Sequence, residues 1–148
     1  MGSLTNALKV HLALKVRNLG ASVAFYERLF MVEPVKLKPK YAKFDIQYPP
    51  LNLTLNQQEA FTAGGTISHM GIQVPSTEDV LRISDQWKES GLETREEMQT
   101  DCCYALQDKS WVRDPDGNEW EVFVVLQDAA EARVVCCSDA PTLLKITQ

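Results

Sequence analysis

Apolar and polar residues alternate at the start of the chain: Leu8, Val10, Leu12, Leu14 and Val16 interleave with Lys9, His11, Ala13 and Lys15. A period of two predicts a strand with one buried face, and it puts His11 on the other face. Beyond Asn18, a residue type that caps helices, Val23, Tyr26, Leu29 and Phe30 fall at helical spacing. The same order returns later. His69 to Val74 reads as a strand, Ser76 and Asp79 form a capping box, Val80, Ile83 and Trp87 continue an apolar stripe, and Gly91 stands where a helix ends. Three further strands are expected after each helix, at 31–37, 41–48 and 50–57, then at 92–98, 103–114 and 118–127. The turn Asp114-Pro115-Asp116-Gly117-Asn118 joins the last two, because Pro presets one dihedral and Gly accepts a positive one.

The parallel between the halves extends to residue types. His11-Leu12-Ala13-Leu14-Lys15-Val16 matches His69-Met70-Gly71-Ile72-Gln73-Val74 as His, large apolar, small, branched apolar, polar, Val. A repeat of this size implies duplicated modules, about 8–57 and 66–127, joined by a linker near 57–65. The fold class expected is α+β, with one domain over 1–130 and a tail over 131–148 in which periodicity is lost.

Composition narrows the classes. A net charge of -5 argues against a general nucleic-acid surface, so a small ligand is the expected partner. No apolar run reaches the length of a bilayer span and the N-terminus lacks a leader pattern, so a cytoplasmic protein off the membrane is expected. The cysteines come as two adjacent pairs, Cys102-Cys103 and Cys136-Cys137, which is no disulfide framework; reduced thiols are the expectation.

Chemistry concentrates in three residues. His11 and His69 are the only histidines, and they recur at matching strand positions. In the last strand Trp120, Val122, Val124 and Leu126 alternate with Glu119, Glu121, Phe123 and Val125, so Glu121 lies on a face turning apolar, where a carboxylate needs a cation. Two imidazoles and one carboxylate suit non-heme Fe(II), and zinc accepts the same donors. The bland alternative is a pair of half-buried strand histidines, with Glu121 paired to Arg or Lys. The first module's last strand offers only Asn52 or Thr54 at the place of Glu121, neither a strong anionic ligand. Lys9, Lys15 and Tyr104 are rim candidates, Trp111 and Trp120 read as core, and Asp101 reads as a local hydrogen-bonding group. Adjacent cysteines admit several readings: soft-metal capture, a redox pair, or a chance pairing of small apolar residues.

His11, His69 and Glu121, with the VAFYERLF helix and the DPDGNEWEVF hairpin, resemble the vicinal oxygen chelate superfamily of glyoxalases, extradiol dioxygenases and bleomycin-resistance proteins. That resemblance implies two βαβββ modules whose curved, barrel-like sheets enclose a metal site. The stretch TDCCYALQDKSWVRDPDGNEWEVFVV resembles more closely the Fe(II)-dependent organoarsenical carbon–arsenic lyases, neighbours of the cadmium-induced proteins. It implies Fe(II) held by His11, His69 and Glu121, dioxygen as co-substrate, and trivalent arsenic captured by Cys102 and Cys103. The substrate implied is a trivalent organoarsenical such as methylarsonous acid, with arsenite as product. Two rivals stand beside it: a protein that sequesters arsenic, antimony or cadmium on its thiols, and another metal-dependent dioxygenase of the same superfamily. Either a monomer or a homodimer is compatible with the duplicated modules.

Overall fold

A computed structural model of the chain describes residues 9–62, 66–102 and 105–128. The elements run β1 (Val10–Val16), α1 (Leu19–Phe30), β2 (Lys36–Lys38), β3 (Tyr41–Ile46) and β4 (Leu51–Gln57), then β5 (Met70–Gln73), α2 (Thr77–Glu89), β6 (Arg95–Cys102), β7 (Ala105–Arg113) and β8 (Glu119–Asp128). This is βαβββ twice over, the α+β plan expected from the repeat. None of the described helices is long and apolar enough to cross a membrane.

Local chemistry sets the helix ends. The Asn18 side chain accepts from the Ala21 amide at 2.9 Å, and Ser76 Oγ accepts from the Asp79 amide at 3.1 Å while donating to its carboxylate at 2.7 Å. Helix α1 stops because Met31 turns left-handed, with φ 54°, and α2 is followed by Gly91 at φ 90°. The left-handed Met31 and the proline after it explain why the strand expected over 31–37 shrinks to β2. By contrast, β6 extends past the expected 92–98. Gln99, at φ 50°, sits in a register shift between Glu97 and Thr100, and the ladder resumes on its far side.

Among the described residues the strands form two four-stranded sheets, ordered β1-β4-β3-β2 and β5-β8-β7-β6. In each, the first strand lies parallel to the last, with α1 or α2 as part of the crossover. The sheets are not closed into one barrel, and the helices explain the separation. Tyr26 of α1 has its ring 6.4 Å from Phe44 of the first sheet and 6.2 Å from Trp120 of the second. Trp87 of α2 donates its indole N–H to the Leu29 carbonyl of α1 at 2.9 Å. Residues of both sheets and both helices therefore share one core.

The Asp114 turn locks this packing. The buried Asp114 accepts from Tyr26 Oη at 2.6 Å, from the amides of Asp116 and Asn118 at 2.9 and 2.8 Å, and from Asn118 Nδ2 at 2.7 Å. Burial first, and the Asp114 charge second, push the Tyr26 hydroxyl far above its ordinary pKa, so it remains a protonated donor. Asp114→Ala strands the phenol and both turn amides, whereas Tyr26→Phe removes one partner of a carboxylate that keeps three. We expect a loss of about 2–4 kcal/mol for the first and about 1–2 kcal/mol for the second in urea unfolding. Equal or reversed losses contradict the assignment of the turn as the lock.

Candidate metal centre

The faces turned away from the core carry the candidate ligands. On β8 the core residues Trp120, Val122 and Val124 alternate with Glu121, which is nonetheless only 5% exposed. Its parallel partner on β5 is Gly71. A Cβ there would lie 2.9 Å from Glu121 Cγ and 3.2 Å from Oε1, so the missing side chain is the space in which the carboxylate sits. The first module pairs Ala13 with Thr54 at the equivalent place. Thr54, rather than Asn52, is thus the counterpart of Glu121, and its module supplies no anionic ligand there.

His69 immediately precedes β5, with Nε2 3.5 Å from Glu121 Oε1. Donors about 2.0–2.2 Å from one cation lie about 3.0–3.6 Å apart at octahedral to tetrahedral angles, so this pair fits a shared metal ion. The His69 ring stands edge-on to Trp111 at 5.2 Å, and its Nδ1 is 3.0 Å from Ser68 Oγ, two contacts that hold the imidazole in place. Glu121 Oε2 is buried with no hydrogen bond. Lys109 Nζ approaches it to 3.2 Å, an ion pair whose angles do not make a hydrogen bond. Sequence reasoning missed Lys109 as this partner. The signal was strand parity: Lys109 and Trp111 alternate with Asp108 and Ser110, which hydrogen-bond to Thr77 and Ser84 of α2, so they share the face of Glu121.

His11 also lies on the outward face, paired in register with Asn52. Its Nδ1 is 3.0 Å from the Asn52 carbonyl oxygen, which can only accept. The proton therefore sits on Nδ1 and the Nε2 lone pair is left for a cation. Among the described residues, however, no three His, Cys, Asp or Glu side chains gather closely enough to hold a metal ion. His69 and Glu121 are brought together; His11 does not join them.

Of the other expected residues, Lys9 pairs with Asp45 and Trp120 is core. Trp111 is buried as expected, but against His69 on the outward face. Cys102 ends β6 with its backbone opposite Ala105. Cys103, Tyr104, Cys136 and Cys137 lie outside the described residues.

Known proteins bear on these residues. The Glyoxalase/Bleomycin resistance protein/Dioxygenase superfamily profile matches residues 10–122. A protein of Bacillus sp. (strain MD1), named trivalent organoarsenical cleaving enzyme, is 45% identical over 139 residues, covering 91% of this chain and 86% of that protein. A cadmium-induced protein of Mycobacterium tuberculosis is 46% identical over 121 residues, covering 82% of this chain and 78% of its own. Among solved structures, a glyoxalase/bleomycin resistance protein/dioxygenase from Nocardioides superposes with a TM-score of 0.65 at 18% identity, over 88% of this chain and 91% of that one. At that identity it speaks for the fold alone.

The tight fit at Gly71 yields a test of the carboxylate. Gly71→Ala should displace Glu121 and weaken Co(II) binding by about ten- to hundredfold, the range typical when a ligand's surroundings are disturbed. Calorimetric titration at matched folded fractions measures this. Unchanged affinity would show that Glu121 is not a ligand.

Proposed function

The chain belongs to the glyoxalase/bleomycin resistance protein/dioxygenase superfamily, and from that premise we propose that it cleaves the carbon–arsenic bond of trivalent organoarsenicals such as methylarsonous acid. The reading is of an Fe(II)-dependent dioxygenase acting in cytoplasmic detoxification, with arsenite as product. Its main support is the 45% identity, across 91% of the chain, to an enzyme named for that cleavage. The buried Glu121 carboxylate beside His69 agrees with it.

In this reading His11, His69 and Glu121 hold iron. Two imidazoles and a carboxylate leave coordination positions free, unlike the closed shell of a structural zinc site. Ferrous iron, when bound, supplies the unpaired electrons that let triplet dioxygen react with a closed-shell substrate. Cys102 and Cys103 displace the two hydroxyls of methylarsonous acid as water, forming two As–S bonds to a soft centre. Their capture turns a diffusive encounter into a fixed orientation of the methyl group. Methylarsonous acid plus dioxygen balances arsenous acid plus formaldehyde: arsenic stays trivalent, and the methyl carbon gives up the four electrons that dioxygen takes. Trp111 packs edge-on against the His69 ring, and the Lys109 ammonium lies 3.2 Å from the buried Glu121 carboxylate.

The cadmium-induced relative favours a second reading, in which the thiols hold soft cations and no bond is broken. Anaerobic protein loaded with Fe(II), given methylarsonous acid and then oxygen, separates the two by the arsenic species recovered. Arsenite that requires both iron and oxygen supports cleavage; unchanged methylarsonous acid supports sequestration. Within the cleavage reading, Cys102→Ser and Cys103→Ser should each weaken arsenical binding at least about tenfold and leave iron affinity intact, while Glu121→Ala does the reverse. Loss of both affinities together in either set contradicts the division of labour.

A further inference from the structure

We propose that Asp108 is a positioning residue for arsenical capture: its carboxylate pins the bulge in β6 that sets Cys102 on the same sheet face as Glu121. The inference rests on the reading of Cys102 as an arsenic ligand and supplies the reason that residue stands where it does.

Strand pairing carries the argument. Glu97 of β6 lies opposite Lys109 of β7; past the register shift, Thr100 lies opposite Gln107 and Cys102 opposite Ala105. Three steps along β6, from Glu97 to Thr100, are thus matched by two along β7, so Met98 and Gln99 share the place opposite Asp108. Ala105, Gln107, Lys109 and Trp111 belong to one face of β7, the face on which Trp111 pairs with Glu121. The extra residue changes the parity of β6: Arg95 and Glu97 belong to that face before the bulge, Thr100 and Cys102 after it. In an unbroken ladder continued from Glu97, Gln99 and Asp101 would take those places, and position 102 would fall on the opposite face.

The hydrophobic pattern does not choose between these registers. Arg95, Glu96, Glu97, Gln99, Thr100 and Asp101 make β6 polar on both faces, and it is the end strand of its sheet, with β7 as its one strand neighbour among the described residues. The bulge is also costly in itself, because Gln99 holds φ at 50°, a left-handed conformation that favours glycine. Asp108 offsets that cost. Only 4% exposed, it accepts from the Gln99 amide at 2.6 Å and from Thr77 Oγ1, in the first turn of α2, at 2.5 Å. One carboxylate therefore ties the left-handed residue to the helix. Straightening β6 would take the Gln99 amide away from this buried acceptor, and buried polar groups seldom go unpaired.

Binding of methylarsonous acid to the full-length, iron-free protein tests this, with Co(II) affinity measured on the same samples at matched folded fractions. Unchanged arsenical affinity in Cys102→Ser overturns the reading beneath the proposal, and does so before Asp108 is touched. Asp108→Ala should weaken methylarsonous acid binding at least about tenfold, since capture by two thiols becomes capture by one in every slipped molecule, and should leave Co(II) binding unchanged. Deleting Gln99 removes the bulge yet keeps Thr100 opposite Gln107, so the shortened chain should bind the arsenical as wild type does, and adding Asp108→Ala to it should cost nothing further. Wild-type arsenical affinity in Asp108→Ala overturns the proposal. So does an Asp108→Ala loss of equal size with and without Gln99, because Asp108 then acts through general stability and not through register. Where the shortened chain does not fold, Gln99→Gly decides instead: glycine accepts the positive φ freely and should restore part of the affinity lost by Asp108→Ala, and no restoration contradicts the role of the bulge.

Discussion

A phenol hydroxyl buried between two sheets needs an acceptor, and Asp114 supplies it to Tyr26. The rest of the architecture follows from that bond. Asp114 belongs to the turn joining β7 to β8, and Tyr26 belongs to α1, so the contact ties the last hairpin of the second module to the helix of the first. Trp120, two contacts away in the same cluster, lends its indole N–H to the same hydroxyl at 3.3 Å. Both modules are thus fastened through their helices into one core.

Glu121 shows how duplicated modules divide their labour. Both modules carry a histidine at matching places, yet one has Gly71 opposite a glutamate and the other has Ala13 opposite a threonine. The glycine is what lets a carboxylate be buried beside the strand: with a Cβ present, Glu121 Cγ would be closer than real contacts allow. A buried carboxylate then demands positive charge. Lys109 answers from β7, with Nζ 3.2 Å from Oε2, while His69 Nε2 lies 3.5 Å from Oε1. The arrangement sets one carboxylate oxygen beside an ammonium and the other beside an imidazole.

Much of this was legible along the chain. Period-two alternation located β1 and β8, Asn18 and Ser76 marked both helix starts, and the His-x-small pattern exposed the repeat. Glu121 stood out because a carboxylate interrupted an apolar run. What alternation could not convey was the arrangement of modules, which depends on long-range contacts such as Tyr26 with Asp114 and Trp87 with Leu29. Lys109 was hidden for a related reason: a lysine in a strand reads as solvent-facing until the pairing of β7 with β8 sets it two residues from Trp111, the residue in register with Glu121. The extent of β6 was misjudged because the left-handed Gln99 shifts the ladder and breaks the alternation that marks a strand.

The account rests on a ferrous centre built from two imidazoles and one carboxylate. Crystals grown with Fe(II) under nitrogen, measured at the iron absorption edge, test it most directly. The account predicts one anomalous peak within bonding distance of His69 Nε2 and Glu121 Oε1, with a His11 imidazole as third ligand and no sulfur in the coordination shell. Iron bound elsewhere, or Glu121 still paired only with Lys109 beside an empty site at saturating metal, would contradict it.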